Sequence, residues 1–424
     1  MEIGIPFIDQ VIKIELPPAN LLFDISPKDI SPVKDFKAAI CQALQNPIGA
    51  PPLSKLLQPG WKIALVSDDN TRPTPVDRIM PILLDFFNQA GIVDAQIEII
   101  ISSGTHRAMT QAELASKYGP ELLSRVRVLP HHYQDPAELV NFGVTRRGVP
   151  IWVNRRVVEA DFCMAVGNIV PHHPAGWSGG AKAVLPGVAG EETVAQMHLL
   201  GSRHPALGEI DSEMRLEMED FAATIGLDFI LNVVLNRNGD LVGAVAGHYI
   251  AAHRAGVQIS KGVYGVPIPG LADLTISSTS PVDFDFFQGD KGITSAEKST
   301  RPGGEILLVS GCIEGISPAH PELADFVGRL SNEQIWQLLA AHQVLDPLTA
   351  AEAIVINDII ASKKISIVSQ GIHPDLCRLM VMLPIAPADL SDYLVERIRS
   401  NPDLKIGILR KSAEILPFLD PIPE

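Results

Sequence analysis

Apolar and polar positions follow two patterns along this chain. Short runs rich in valine and isoleucine, KIALVS (62–67), AQIEIIIS (95–102), DFCMAVG (161–167), FILNVVL (229–235), LTISS (274–278), EILLVSG (305–311), KISIVSQ (364–370) and KIGILRK (405–411), are almost unbroken in apolar residues. Such runs predict strands buried on both faces. Between them PTPVDRIMPILLDFFNQAG (73–91), TQAELASKYG (110–119), NEQIWQLLAAH (332–342) and PADLSDYLVERIRS (387–400) space their apolar residues at helical intervals, with Thr110 and Asn332 placed as N-caps. Buried strands separated by helices imply an α/β class, two domains with mainly parallel sheets. The Gly- and Pro-rich stretch SKGVYGVPIPGLADL (260–274) puts the boundary near residue 270, giving domains 1–270 and 271–424.

A length of 424 residues agrees with more than one core, and 46 % hydrophobic against 20 % charged residues suits a folded chain. The net charge of −15 disfavours nucleic acid and anionic membranes as partners. The four cysteines, Cys41, Cys163, Cys312 and Cys377, form no C-x-x-C pair, so no disulfide framework or four-thiolate zinc site is signalled and a reducing cytoplasm fits. There is no basic stretch followed by an unbroken apolar one at the start and no uncharged apolar run of about 18 residues. The expectation is a soluble cytoplasmic protein.

Candidate chemistry gathers behind three of the predicted strands. DDNTRPTP (68–75) follows the first, SGTHR (103–107) the second and NIVPHHPAGWSGGAKAVLPG (168–187) the third. Ligands in open α/β sheets bind beyond the carboxyl ends of strands, so three such loops can converge on one crevice. The third loop holds His172, His173, Gly176, Ser178, Gly179, Gly180 and Lys182, and its glycines allow backbone N–H groups to approach a phosphate. It is no P-loop, because Ala181 and Ala183 stand where that motif needs Gly and Ser or Thr, and no G-x-G-x-x-G follows a strand. His106 alone can equally be a satisfied loop histidine, and His198, on a short predicted helix, a core or helix-terminal one. His131 and His132 read as a surface pair, and His248 and His253 as structural. In VDFDFFQGDKGITSAEK (282–298), Gln288 and Lys291 share one face if the segment is helical. That face can hold a carboxylate across an interdomain cleft or simply be solvated.

Together DDNTRPTP, SGTHR, PHHPAGWSGGAKAVLPG and the later Q-x-x-K resemble the nickel-dependent lactate racemase family, which interconverts stereoisomers of 2-hydroxy acids. The likeness covers the N-terminal two thirds closely and the C-terminal domain more loosely. Its strength is spacing: His172 lies ten residues before Lys182, and His198 sixteen after it. The resemblance implies a nickel pincer nucleotide, a pyridinium-3,5-bisthiocarboxylic acid mononucleotide nickel group, bound covalently to Lys182 with His198 as nickel ligand. It also implies His106 and His172 as the acid/base pair and an interdomain active-site cleft. Asp69, Thr71, Ser178, Gly179 and Gly180 would make cofactor contacts, and Arg72, Gln288 and Lys291 would hold a small-molecule 2-hydroxy acid. Proteins that build and insert the cofactor are the implied partners. Three positions depart from the family pattern: Asn70 replaces a histidine, Ala181 an arginine, and Phe287 the tyrosine of the lactate enzyme. These suggest a different hydroxy acid while leaving the reaction type intact.

Two histidines suit that chemistry. Oxidising C2 transiently by hydride loss avoids removing a weakly acidic proton, and each enantiomer presents its hydroxyl to a different base. Arg72 can grip the carboxylate bidentately. The rival readings are a zinc-dependent hydrolase drawing on His106, His172, His173 and His198, and a cofactor carrier without turnover.

Overall fold

The computed structural model of the chain describes residues 1–204 and 206–419. The chain starts with the hairpin β1 (Glu2–Phe7) and β2 (Gln10–Glu15), followed by β3 (Leu21–Ile25). It then builds one sheet from β4 (Ile63–Asp68), β5 (Ile97–Ser102), β6 (Arg127–Leu129), β7 (Phe162–Asn168), β8 (Phe229–Leu235) and β9 (Leu241–Gly247). A second sheet uses β10 (Ala272–Ser278), β11 (Thr300–Val309), β12 (Lys364–Val368), β13 (Met382–Ile385) and β14 (Ile406–Arg410), together with β3. All eight apolar runs read from the sequence form strands of these two sheets. The four helical patterns become Val76–Gln89, Gln111–Tyr118, Asn332–Ala340 and Leu390–Ser400.

The first sheet has the order β9-β8-β7-β4-β5-β6, parallel except for β9. β4 lies at its centre, with Leu65 opposite Ile99 on one side and Met164 on the other. Every residue from Ile63 to Ser67 is buried, which explains the unbroken apolar run. The helix Val76–Gln89 turns Ile79, Leu83 and Phe87 into the same core. The chain leaves β4 toward β5 and β6, then returns to β7 on the other side. That reversal makes the gap between β4 and β7 a topological switch point, the position at which ligands bind in open α/β sheets.

The second sheet, β13-β12-β11-β10-β14-β3, is wholly parallel. β3 is its edge strand, with Leu21 opposite Ile406. The β1–β2 hairpin buries Ile3, Ile5, Phe7, Ile14 and Leu16 against Leu274, Ile276, Leu307, Leu390 and Ile408.

Two expectations change here. The contacts divide the chain into Asp29–Val170 with Ala175–Val263, and Met1–Lys28 with Pro171–Pro174 and Tyr264–Glu424. Residues 1–28 therefore belong to the C-terminal unit, because β3 finds its partner in β14, and the division falls at 263/264. Asn332 is the first helical residue and Ser331 is the cap: its side chain accepts from the Gln334 N–H while Gln334 returns a bond to the Ser331 N–H.

Candidate functional site

The loop after β4 is organised by Asp69, whose side chain is almost wholly buried. One carboxylate oxygen accepts from the Thr71 N–H at 3.0 Å and the Thr71 hydroxyl at 2.5 Å. The other lies 2.7 Å from His106 Nδ1, on the loop after β5. Burial alone would raise the Asp69 pKa. The charge and hydrogen bond of His106, with Arg72 and Thr71, outweigh it and hold the carboxyl well below the usual range. An ionised Asp69 accepts a proton from Nδ1, which assigns the lone pair of a neutral His106 to Nε2. The sequence motif carried Asp69 as a cofactor contact; its observed partners are the general-base candidate and its own loop.

Helix Gln111–Tyr118 braces this loop from outside. Lys117 Nζ donates to the carbonyls of Arg72 and Thr74, the latter at 2.9 Å, and the Tyr118 hydroxyl donates to the Asp68 carbonyl. Glu113 takes a fork from Arg107 at 2.8 and 2.9 Å and a bond from Asn70 Nδ2 at 3.1 Å. The Arg107 bonds lead in bringing its pKa down to about 2. Asn70 thereby joins the frame. Arg72 folds its guanidinium onto the Thr71 carbonyl and hydroxyl at 3.2 and 3.1 Å.

The three loops converge through direct bonds. Asp68 Oδ2 accepts from the Asn168 N–H at 3.3 Å, joining the first to the third. Gly104 N–H donates to the Gly187 carbonyl at 2.9 Å and the Ser102 hydroxyl to the Ala183 carbonyl at 2.8 Å, joining the second to the third. The approach is close enough that a Cβ on Gly187 would lie 2.0 Å from both Ser102 Oγ and the Ala183 carbonyl.

The loop bearing Lys182 is held by residues that no local signal marks. Arg215, fully buried on helix Glu213–Ile225, donates to the carbonyls of Gly179 at 3.1 Å, Ala175 at 3.5 Å and Trp177. Asn232 on β8 accepts the Gly180 N–H at 2.8 Å, and His253 Nε2 meets the Ser178 carbonyl at 2.9 Å. Gly180 has φ +60°, and a Cβ there would strike the His253 ring at 2.9 Å, so both conformation and space demand glycine. The expected phosphate cradle changes accordingly. The Ser178 N–H is bonded to the Val170 carbonyl at 2.8 Å and the Gly180 N–H to Asn232, so these two donors stabilise the loop itself. The Ser178 hydroxyl likewise bonds the Asn168 carbonyl and the Val170 N–H.

His198 lies on helix Glu191–Ser202 with Nδ1 donating to the Val194 carbonyl at 2.8 Å. This backbone bond fixes the tautomer that presents Nε2, the arrangement usual for a metal-ligating histidine. Lys182 and His198 thus supply an amine and an imidazole, a donor set that fits a tethered group bringing most of its own metal donors. Among the described residues no cluster of three or more His, Cys, Asp or Glu side chains is placed to hold a metal, as a hydrolytic zinc would require.

His172 belongs with Pro171–Pro174 to the other unit. Its neighbour His173, buried beside the charge of Lys298, is pushed down to about 4 by burial first and by that charge second. Gln288 lies within a short helix Phe286–Gly289 capped by Asp285, and Lys291 opens the next, Lys291–Glu297. Lys291 Nζ donates to Gln288 Oε1, so the two are joined as the spacing suggested. His131 is not a surface residue. It is buried between the Ala189 carbonyl at 2.9 Å and Asn154 at 3.1 Å, and desolvation lowers it to about 4.

Comparison with known proteins places these features. Residues 7–208 match the lactate racemase N-terminal domain family. A lactate racemase of Lactiplantibacillus plantarum is 34 % identical over 280 residues, 65 % of this chain and 66 % of that protein, just short of two thirds of its length. One of Thermoanaerobacterium thermosaccharolyticum is 30 % identical over 321 residues, 71 % of this chain and 75 % of that one. Among solved structures, the lactate racemase apoprotein of Thermoanaerobacterium thermosaccharolyticum superposes with TM-score 0.86 at 26 % identity, covering 98 % of this chain and 100 % of its own. A Thermotoga maritima protein, at TM-score 0.73 and 21 % identity over 91 % of this chain and 98 % of its own, shares the fold.

Proposed function

The chain belongs to the lactate racemase family, and from that footing we propose that it is an isomerase that racemises or epimerises a 2-hydroxy acid with a nickel pincer nucleotide carried on Lys182. The observation that carries the reading is the Asp69–His106 pair, set at a switch point where the lysine-bearing loop is bonded to both neighbouring loops. When bound, the nickel group supplies reversible hydride acceptance. His106 Nε2 takes the substrate hydroxyl proton, and ionised Asp69 steadies the imidazolium that results. His172 is assigned the same task for the opposite enantiomer, so that each histidine is base in one direction and acid in the other. Arg72 holds the substrate carboxylate as a planar fork, with Gln288 and Lys291 as further substrate contacts. His198 Nε2 would hold the nickel.

Phe287, without the phenol of the lactate enzyme, and Ala181, without the guanidinium usual in the family, point to a hydroxy acid other than lactate. No helix among the described residues is long and apolar enough to cross a membrane, and a cytoplasmic site with cofactor-inserting proteins as partners completes the proposal. The test is reaction in heavy water with NMR of the product, across a chiral panel from lactate and malate to aldonic acids. Little deuterium at C2 is expected, since hydride leaves and returns without meeting solvent. Near-stoichiometric incorporation would replace hydride transfer with direct deprotonation. Mass spectrometry of the Lys182 peptide is expected to show the covalent group, and to lose it in Lys182→Ala.

A further inference from the structure

Arg215 is a buried cation held by backbone carbonyls. Among the described residues it makes no ion pair, its neighbour Glu219 being engaged by Arg254 at 2.7 and 3.1 Å. Its Nε has no hydrogen-bond partner among the described residues. Such burial is costly, and a well-packed apolar residue would usually be the more stable choice. What Arg215 holds is backbone. It takes the carbonyl of Trp177 while the N–H of the same peptide unit, from Ser178, is held by Val170. It takes the carbonyl of Gly179 while the N–H of that unit, from Gly180, is held by Asn232. The unit between them has its Ser178 carbonyl on His253 Nε2. His253 in turn meets Arg254 at Nδ1, 3.2 Å away. Two alternate peptide planes are therefore fixed at both edges and the plane between them at its carbonyl, shortly ahead of Lys182, whose own N–H bonds the Gly179 carbonyl at 3.2 Å.

We propose that Arg215 and His253 are positioning residues that lock the Ser178–Gly180 backbone and so preset the direction from which the Lys182 amine meets its cofactor. The inference deepens the reading of Lys182 as attachment site and rests on it for its functional consequence. A side chain tethered at its tip gains precision only when the backbone at its root is fixed, and the pair fixes that root from two helices, Glu213–Ile225 and Ala251–Tyr264.

Hydrogen exchange on the protein before cofactor loading tests the backbone part without any catalysis. Arg215→Met is expected to speed exchange at the amides of residues 177–182 about tenfold or more while strands β4, β5 and β7 keep the parent rates. Arg147→Ala serves as control, because it removes the 3.3 Å bond to buried Glu217 on the same helix without touching the loop. Loading tests the consequence: after exposure to the cofactor-inserting system, occupancy of the Lys182 peptide by mass should fall about tenfold in Arg215→Met, recover partly in Arg215→Lys, and stay near the parent in Arg147→Ala. Should Arg215→Met not fold, His253→Phe, which removes one donor from the loop, is expected to give the same loop-confined pattern. Unchanged loop exchange, acceleration spread equally over the strands, or full occupancy in Arg215→Met would each overturn the proposal. Absence of covalent mass on the parent protein itself would instead sink the attachment reading, leaving the exchange result to judge the lock.

Discussion

At the scale of single residues the informative contact is the one Asp69 makes with His106, 2.7 Å from carboxylate to Nδ1. Asp69→Asn keeps the shape but removes the anion that selects the His106 tautomer, and turnover should fall about 10²- to 10⁴-fold with little change in KM, measured on loaded enzyme in both directions. The same carboxyl contributes to acid stability. Its folded pKa is depressed, so its stabilisation is complete above the unfolded value of about 4 and is lost as pH falls from there toward the lowered native value. Asp69→Asn should therefore flatten the loss of stability below about pH 4, as followed by thermal melts across pH. Arg72→Lys keeps charge without the fork, and kcat/KM is expected to fall about tenfold or more through weaker carboxylate grip. Asp69, Thr71, Arg72 and His106 could be placed from the sequence because each lies a few residues beyond the end of β4 or β5. Arg215, Asn232 and His253 could not: they reach the lysine loop from 36, 52 and 75 positions away, and nothing in their own neighbourhoods states what they will touch. His131 was misread for the same reason, since its burial depends on Ala189, 58 positions on.

Elements extend the argument from side chains to the pieces that carry them. The eight central strands were plain from apolar runs, as expected when both faces are covered. The helix Gln111–Tyr118 was equally plain, and its start can be tested. Thr110 accepts from the Glu113 N–H at 3.2 Å while Glu113 accepts from the Thr110 N–H at 2.7 Å. Thr110→Ala should cost about 1 kcal/mol and, because Glu113 and Lys117 brace the Arg72 loop, should raise exchange at residues 70–74 as well as in the helix. An effect confined to the helix would mean that the brace does not depend on its cap. The misplaced cap at Asn332 shows the limit of reading ends by residue type alone, for Ser331 and Asn332 are both good caps, and what decides between them is which one faces the third N–H of the helix. Nickel content is a further test at this scale: His198→Ala should keep the Lys182 tether yet lose most bound metal by elemental analysis.

Across the whole molecule the order of the chain and the order of the strands disagree. The apolar face of the β1–β2 hairpin gave no hint that its partners lie at the other end of the sequence, which is why the first 28 residues were expected in the wrong unit. Their removal strips six buried apolar side chains, Phe23 and the five packed by the hairpin segment, worth roughly 1.5–3 kcal/mol each, from a unit whose total margin is about 5–15 kcal/mol. The truncated chain should lose its C-terminal unit to limited proteolysis while a fragment near residues 29–263 persists. The edge pairing of β3 with β14 also sets a clock. All strands of the first sheet are made before β10 begins at residue 272, so that sheet can close during synthesis, whereas β3 waits through roughly 380 further residues for its partner. At about 5–20 residues per second the wait lasts some 20 to 75 seconds. A segment made ahead of the first sheet is thus among the last to be sheltered, and its apolar strands depend until then on whatever else in the cell will cover them.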